Sequence, residues 1–446
     1  MTKNKIFFII LGTILLIGIF YFAIQLNSST NNNKTPKNTA GAINIWIFED
    51  DKEKMKQYVD ENFKKAYPQY EGQEIIVESF PEIHSYYTTL ASAFLAGTGP
   101  DIFMLQNRES SVFENQVEAM SPDTIAPNDF TVRFKPIFSD DLIFASTQDD
   151  TAEYLKGVPL WYEALWVYFN RRYFLRPTDL DTWEALLAEM KNISEKYEDI
   201  VPIALWNGSS ITRAGDILVQ LFALEGATSV FDLAANQIEQ ALALYTGFWD
   251  PQGKNKYNTL SLPYIGESDI DHFTQGDVAA MIGYPRDLLA IDKIGYQKSF
   301  LLAHSFPSYA GKETKVSIQY NYLALNKDSS KKEIAGDFLA YLASVEGQAQ
   351  ILDYFPYYLP AETSVEAEVG EKKILPQYNI VYNNFINPTA TLVTFWLSDA
   401  NYFMEHVGEI LDNSSQQSQK IEALKSYVIC ATAKHQTFLN LSSPCK

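Results

Sequence analysis

The chain has 446 residues, of which 46% are hydrophobic and 14% aromatic, and this composition is typical of a globular protein rather than a disordered one. With 35 Lys and Arg against 55 Asp and Glu its formal net charge is −20, which excludes nucleic acid as a partner, because no basic patch is present to displace counterions from a polyanion. At about 150 residues per domain, the length predicts two or three domains. The two cysteines, Cys430 and Cys445, exclude a disulfide framework and a cysteine-based zinc site, and leave one local bridge and two free thiols equally open.

The N-terminus predicts a membrane anchor. Residues 6–26 contain no charged side chain and follow Lys3 and Lys5, and at ~1.5 Å per residue the segment reaches about 31 Å, the thickness of a hydrocarbon core. The alternative is a cleaved signal peptide, but the apolar run is longer than the usual ~7–15 residues and no A-x-A site closes it. We therefore expect an uncleaved transmembrane helix at 1–26, crossing the cell membrane once, and a flexible linker at 27–42. Because the lysines stay inside, the globular body is expected outside the cytoplasm.

The body alternates predicted strands and helices. Strands at 43–48, 73–80 and 101–105, separated by helices, predict an α/β unit with a parallel sheet, and the alternation restarts after residue 156 with strands at 164–170 and 201–206. The clearest helical runs begin near Asp181 and lie at 86–95, 214–224, 238–245, 333–342, 393–411 and 421–434. Two α/β units are the simplest account of this pattern.

The residues that carry chemistry do not form a catalytic pattern. The histidines are scattered without metal-ligand spacing, and no nucleophile elbow or phosphate-binding loop is present. Aromatic residues instead stand beside hydrogen-bonding ones near predicted strand ends, at 161–163, 206–207, 284–286, 320–322 and 395–396. Strand ends are where open α/β sheets bind ligands, and a sugar offers an apolar face to a ring and hydroxyls to polar groups. The pattern favours a carbohydrate ligand.

Five segments, in order along the chain, resemble the extracellular solute-binding proteins of ABC importers, in the branch that contains maltose-binding and other sugar receptors. They are YPQYEGQEIIVE, LASAFLAGTGPDIFML, GVPLWYEALWVYFNRRYF with the later DTWEALL, FTQGDVAAMIGYPRD, and NYLALNKDSSKKEIAGDFLAYLASVEGQAQ. The resemblance implies an α/β, two-lobed, periplasmic-binding-protein-like fold of type II, in which hinge motion closes the lobes on the ligand. It also implies a receptor that is not an enzyme, with no catalytic residue, metal or cofactor.

The resemblance further implies how the chain is divided and what it binds. Lobe 1 is expected at 43–156 plus 307–352 and lobe 2 at 157–306 plus 353–446, with crossings at 156–159, 301–307 and 352–356. The expected partners are a carbohydrate ligand, the transmembrane subunits of an ABC permease, and the membrane through the N-terminal helix. A monomer is expected.

Several polar residues match the ligand contacts of the family. Asp50 matches an acidic contact after the first strand, and Asn107 or Arg108 matches polar contacts after the third. Glu163 matches an acidic contact at the hinge. These side chains are expected to hydrogen-bond the hydroxyls of a sugar.

The ring contacts agree less completely with the family pattern. Trp396 matches a stacking ring, whereas Arg286 stands where maltose receptors of the family have a stacking tryptophan, so a long maltodextrin is not expected. Tyr284 is the candidate ring in its place. Trp161 and Trp206 complete the expected ligand-binding set.

Other functions stay open at this point. The adjacent tyrosines Tyr86-Tyr87 and Tyr357-Tyr358 are of the kind that bind ferric iron through phenolate oxygens, and peptide or polyamine ligands are comparable alternatives. A surface glycoside hydrolase would need two carboxylates about 5–9.5 Å apart, one of them with a raised pKa. An adhesin or a sensor on the same scaffold would need no importer.

Overall fold

The computed structural model describes residues 41–437 apart from 109, 147–148, 175–179, 206, 247–267, 373–389, 396, 398–399 and 414–416. The expected membrane segment, most of the linker, and the candidate rings Trp206 and Trp396 lie outside the described residues. Among the helices of the described part, none combines the length and the apolar character that crossing a bilayer requires.

Strands and helices alternate along the described chain, and the prediction of an α/β fold is confirmed. The strands are β1 Ile43–Phe48, β2 Ile75–Phe80, β3 Ile102–Gln106, β4 Ile143–Ser146, β5 Asp149–Leu155, β6 Val158–Ala164, β7 Trp166–Asn170, β8 Ala280–Gly283, β9 Leu301–Ser305, β10 Lys315–Leu325 and β11 Thr391–Thr394. The helices are α1 Lys52–Tyr58, α2 Ile83–Leu95, α3 Pro127–Arg133, α4 Pro136–Leu142, α5 Trp183–Lys196, α6 Ala214–Leu224, α7 Ala235–Thr246, α8 Asp269–Gln275, α9 Leu288–Ile294, α10 Lys332–Leu342, α11 Val345–Tyr354, α12 Thr363–Lys372, α13 Ala400–Asn413 and α14 Gln417–Thr437.

The larger sheet has the strand order β11-β10-β3-β1-β2. Strand β1 is parallel to β2 and β3, as predicted, and its six residues are all buried, as is typical of parallel strands inside an α/β fold. Strand β10 is antiparallel to β3 and to β6. The larger sheet therefore includes β6, through Ala164, and the chain leaves it only at Leu165.

The smaller sheet has the order β8-β7-β9, and β7 is antiparallel to both neighbours. The predicted strand at 201–206 is not a regular strand. The backbone there still hydrogen-bonds to the β8 region, with Ala204 N donating to Ala280 O at 2.8 Å. Since β6 belongs to one sheet and β7 to the other, the first passage between the sheets lies at Leu165, C-terminal to the predicted crossing at 156–159. The predicted lobe limits stay a proposal.

The predicted helix at 393–411 is wrong at its start. Residues Thr391–Thr394 are rich in β-branched side chains and form β11, parallel to the beginning of β10, and the helix α13 begins only at Ala400. Helix α13 packs on α6, and α14 packs on α7. A Cβ built on Gly208 would collide with the Gly408 carbonyl oxygen, so the loop after residue 206 touches α13 backbone to backbone.

Polar side chains start several helices. Asp51 caps α1, with its Oδ1 accepting from Glu53 N at 3.0 Å, and Thr182 caps α5. At α8, Ser268 and Asp271 form a reciprocal capping box. These caps satisfy backbone N–H groups that the first turn of a helix leaves without a partner.

The GTGPD motif turns the chain from α2 into β3. Gly97 has φ +67°, and a Cβ on Gly99 would collide with the Phe94 ring, so both positions require glycine. Asp101 Oδ2 accepts from Asn44 N at 2.9 Å, and Asp101 Oδ1 accepts from Ser329 Oγ at 2.6 Å. The carboxylate thereby joins β1 to the turn that follows β10.

Cys430, on α14, is disulfide-bonded. Cys445, the other cysteine of the chain, lies outside the described residues.

The Asp101 interaction gives a stability prediction. Asp101→Ala leaves the buried Asn44 N–H without an acceptor, so the free energy of unfolding is expected to fall by about 1–3 kcal/mol in urea titrations. The control is Asp123→Ala, an exposed aspartate, which is expected to change stability by no more than about 0.5 kcal/mol. Equal effects of the two substitutions would contradict the role given to Asp101.

Candidate functional site

The candidate site lies between the two sheets, where loops that follow their strands come together. Glu49 and Asp50 follow β1 and Arg108 follows β3, all in the larger sheet, whereas residues 284–287 follow β8 of the smaller sheet. Asp216, in the first turn of α6, reaches the same place. Ligands of open α/β sheets bind at the carboxyl ends of strands. These loops form the candidate site, and we call the region where they meet the cleft.

Arg286 joins the two sheets by contacting two carboxylates. Its Nη1 donates to Glu49 Oε2 at 2.7 Å, and its Nε lies 3.2 Å from Glu163 Oε2. Glu163 comes from β6 and is only 3% exposed. A single guanidinium therefore compensates acidic groups from two strands of the larger sheet.

Asp50 contacts an aromatic pair. Tyr358 donates its hydroxyl to Asp50 Oδ1 at 2.7 Å, and the Tyr358 ring stacks on Trp161 with centroids 4.3 Å apart and planes 12° apart. Trp161 also packs against Phe355 and is 1% exposed. Asp50 is partly exposed as a residue, but its Oδ2 atom is buried.

Arg108 forms a second link between the sheets. Its guanidinium is 2% exposed and makes an ion pair with Asp216, and its Nη2 donates to the Tyr284 hydroxyl at 3.3 Å. The same hydroxyl donates to Asp216 Oδ1 at 3.0 Å. Although burial alone raises the pKa of Asp216, Arg108 and Arg213 lower that pKa by more, and Asp216 is held ionised.

The loop after β8 is held by a third ion pair. Arg213 Nε donates to Asp287 Oδ2 at 3.0 Å, and Asp287 Oδ2 also accepts from Tyr284 N at 2.7 Å. A Cβ on Gly283 would lie 2.8 Å from Asp287 Oδ2, so glycine is needed there for the carboxylate to fit. The guanidinium groups of Arg213 and Arg286 lie 5.2 Å and 5.7 Å from the centroid of the Tyr284 ring.

Burial raises the pKa of two carboxyls in the cleft to about 7, those of Asp50 and Glu163. For Asp50 the hydrogen bond from Tyr358 and the charge of Arg286 oppose the rise without cancelling it. For Glu163 the opposing charges are Arg286 and Arg213. Both carboxyls therefore change charge near neutral pH.

Buried polar atoms without hydrogen-bond partners mark the same place. They include two acceptors, Asp50 Oδ2 and Glu163 Oε1, and one donor, Arg108 Nε. Trp161 Nε1 and Asn321 Oδ1 are further examples, on paired positions of β6 and β10. Buried polar groups are normally paired, so water or a ligand that both donates and accepts would satisfy these atoms.

Some of the predicted ligand residues come together in the structure, and others do not. Asp50, Glu163, Arg108 and Arg286 come together in the cleft, as the contacts above show. Asn107 instead bonds to β10, where its Oδ1 accepts from Tyr320 N at 3.0 Å. The rings of Trp161 and Tyr284 are 1% and 0% exposed, so they form the walls rather than an open surface.

Sequence reasoning missed five residues of the cleft, namely Glu49, Arg213, Asp216, Asp287 and Tyr358. Glu49 and Asp287 each adjoin a predicted residue, and Tyr358 belongs to a tyrosine pair considered for iron. That pair diverges in the structure, since Tyr357 bonds to Asp292 and Tyr358 to Asp50. Charged residues at the start of the otherwise apolar helix α6 were the available signal for the other two.

A cavity of about 360 Å³ lies at the other end of the strands in the larger sheet. Its lining includes Asn44, Asp101, Asn326 and Ser329. The polar groups of these residues bond to one another or to nearby backbone. Among the described residues, no group of three or more His, Cys, Asp or Glu is arranged to hold a metal ion.

The raised pKa of Asp50 gives a prediction for the protein without ligand. The folded state holds the proton of this carboxyl up to about pH 7, whereas the unfolded chain loses it near 3.8, so stability is lost as the pH rises between those values. Asp50→Asn does not titrate. It is expected to match the wild type near pH 4 and to be more stable at pH 8 by on the order of 1–3 kcal/mol in urea unfolding.

Asp51→Asn is the control, because it removes the same charge one residue away at an exposed position and keeps a capping side chain for α1. An effect of Asp50→Asn that is the same at both pH values would contradict the predicted linkage.

The fold recurs among solved structures of low sequence identity. An ABC substrate-binding protein from Listeria monocytogenes in complex with cycloalternan is similar with a TM-score of 0.66 at 15% identity, over 88% of this chain and 99% of that one. The sugar-binding protein MalE from Xanthomonas citri gives 0.68 at 16%, over 90% and 100%. The maltose-bound MalE3 of T. maritima gives 0.61 at 18%, over 87% and 100%. These similarities show the two-lobed α/β fold.

None of the curated proteins compared with the chain matches it. The family model of the bacterial extracellular solute-binding proteins matches residues 59–377, more than half of the chain. Its members are extracellular binding proteins rather than enzymes, so the expectations of a non-catalytic receptor and of a body outside the cytoplasm are confirmed, and a glycoside hydrolase is set aside. The chain belongs to the family of bacterial extracellular solute-binding proteins.

Proposed function

We propose that the chain is a membrane-tethered extracellular receptor that captures a sugar or short oligosaccharide by lobe closure and delivers it to an ABC-type permease. The observation that carries this proposal is the contact region between the sheets, where carboxylates and guanidinium groups have buried donors and acceptors without a protein partner, beside a stacked aromatic pair. A sugar hydroxyl both donates and accepts, so it satisfies both kinds of atom. Three of the similar structures hold sugars, cycloalternan, maltose and α-D-tagatose.

In this proposal the polar contacts come from both sides of the cleft. Asp50 and Glu163 accept hydrogen bonds from hydroxyls, and Arg108 donates to ring or hydroxyl oxygens. Trp206 and Trp396 supply ring faces. Leaving such a buried partner unpaired costs about 1–3 kcal/mol, which makes the cleft selective for ligands that satisfy every one of these groups.

Closure follows from the contacts that cross between the sheets. Arg286, in the loop after β8, pairs with Glu49 after β1, and Tyr284 of the same loop bonds to Arg108 after β3, so both contacts join the smaller sheet to the larger one. Opening the cleft replaces these pairs by contacts with water. The free energy of closing is then set by the ligand, because it supplies the remaining partners.

The proposal also includes an N-terminal membrane tether and a permease as the partner that receives the sugar. Residues 6–26 form a retained transmembrane helix, and 27–42 give the body reach above the membrane. Holding the receptor at the surface keeps it at high effective concentration beside a permease. Loss of sugar uptake in cells that lack this chain, together with its co-purification with permease subunits, would distinguish an importer from an adhesin or sensor.

A sugar-binding prediction follows. We expect full-length protein in detergent to bind at least one member of a panel of neutral and amino mono- and disaccharides by calorimetry, with a rise in melting temperature. Glu163→Ala should raise the dissociation constant about tenfold or more, because it removes a buried acceptor. Trp396→Ala should weaken binding while leaving the melting temperature without ligand almost unchanged.

Trp183→Ala provides the matched control for the tryptophan. Trp183 is 1% exposed at the start of α5 and packs on Phe306, so its truncation should cost about 3–5 kcal/mol of stability. If Trp396→Ala behaves like Trp183→Ala, or if no sugar binds the intact protein, the proposed site is wrong.

The proposed tether predicts the mature N-terminus. Mass spectrometry of protein extracted from membranes should find residues 6–26 retained, because the segment has the length of a bilayer core and lacks a cleavage site. Extraction should require detergent. A mature N-terminus between residues 23 and 41 would contradict the retained helix.

A further inference from the structure

We propose that Asp50 and Glu163 bind an ammonium group of the ligand, so that the preferred sugar is an amino sugar. The sugar part of this inference rests on the proposed function, whereas the ammonium part rests on the charges of the cleft alone.

The charges in the cleft do not balance. The described residues that contact one another there include five carboxylates and three guanidinium groups, namely Glu49, Asp50, Glu163, Asp216 and Asp287 against Arg108, Arg213 and Arg286. Buried ions are stable when each one has a counter-ion. Glu49 is exposed to water, so the remaining groups are four carboxylates against three guanidinium groups, and one positive charge is missing from this set.

The ion pairs show where the charge is missing. Arg108 pairs with Asp216, and Arg213 pairs with Asp287, one to one. Arg286 is divided between Glu49 and Glu163.

Asp50 receives only a neutral donor, the Tyr358 hydroxyl. Arg286 donates to Glu49 at 2.7 Å and lies 3.2 Å from Glu163, which receives its charge but no hydrogen bond from its Nε. The missing charge therefore falls on Asp50, and Glu163 beside it lacks a donor.

The unpaired atoms coincide with the missing charge. Glu163 is 3% exposed, and its Oε1 accepts no hydrogen bond. Asp50 Oδ2 is also buried and also accepts no hydrogen bond. The two carboxyls lie on the same side of the site, since Glu163 is two residues after Trp161 on β6 and the Trp161 ring stacks on the Tyr358 that donates to Asp50. An ammonium group carries one positive charge and three N–H donors, so it can pair with both oxygens.

The walls of the cleft suit a cation as well. The Trp161–Tyr358 stack stands beside Asp50, and Tyr284 already has two guanidinium groups near its ring. Aromatic rings attract cations through their quadrupole. A neutral hydroxyl would satisfy a carboxylate oxygen but would leave its charge uncompensated in a buried site.

The test compares matched pairs of ligands. Full-length protein in detergent is titrated at pH 7, where most of an amino sugar carries its ammonium charge, with glucose and glucosamine, galactose and galactosamine, mannose and mannosamine, and cellobiose and the disaccharide of glucosamine. In the pair that binds most tightly, the amino sugar is expected to bind at least about tenfold more tightly than its neutral counterpart.

Charge variants identify the groups responsible. In the double variant with Asp50→Asn and Glu163→Gln, the ratio of the two dissociation constants is expected to fall to within about twofold of one. The ratio is insensitive to a general loss of affinity, so a partly destabilised variant remains informative. Asp51→Asn, the exposed neighbour, is expected to keep the wild-type ratio.

The outcomes separate this inference from the proposed function. Neutral sugars that bind as tightly as, or more tightly than, their amino counterparts overturn the ammonium site and leave the sugar receptor standing. Spermidine, titrated in the same way, provides the other arm. If spermidine binds in an Asp50- and Glu163-dependent manner while no sugar does, the sugar receptor is overturned and the ammonium site stands. Absence of binding to every probe overturns both.

Discussion

The sharing of one guanidinium between two carboxylates determines how the two halves of this protein meet. Arg286 belongs to the loop after β8 in the smaller sheet, whereas Glu49 follows β1 and Glu163 lies on β6, both in the larger sheet. A buried charge without a partner is expensive, so the loop after β8 can approach the larger sheet only where both glutamates can receive its arginine. The pair of Arg213 with Asp287 holds the same loop in shape, and Tyr284 of that loop bonds to Arg108 and Asp216. The acceptors that these ion pairs do not use, Asp50 Oδ2 and Glu163 Oε1, are the ones proposed to bind the ligand.

Local patterns in the sequence predicted most of the helices and strands, because the formation of these elements depends largely on neighbours a few residues away. The β-branched run at β1, the apolar periodicity of α6 and the glycine turn before β3 agree with the structure within a residue or two. The prediction failed at Thr391–Thr394, where the helix-forming run that follows was extended too far toward the N-terminus. That strand exists because the edge of β10, some seventy residues earlier in the chain, has open backbone groups to pair with it. No local pattern contains that information.

The candidate site was predictable where the chain itself places two contact residues side by side. Asp50 and Arg286 were predicted, and each is followed or preceded in the sequence by a contact residue that was not, Glu49 before Asp50 and Asp287 after Arg286. Asp216 and Tyr358 join the site only through the packing of α6 and of the turn after α11, which depends on the whole fold. Asn107 shows the opposite case. Its position after β3 is right for a ligand contact, but its side chain is used to bond the backbone of β10.

The contact between Gly208 and Gly408 constrains the order in which the molecule is completed. Asp412, on the same helix, accepts hydrogen bonds from Gly208 N at 2.8 Å and Ser209 N at 3.3 Å, so the loop that precedes α6 owes its shape to a helix near the end of the chain. A chain that emerges N-terminus first from a ribosome or a translocation channel presents this loop long before α13 is available. The loop can therefore take its final shape only after α13 has been made and has packed against it. Its conformation depends on the C-terminal part of the chain, although the loop itself lies near the middle.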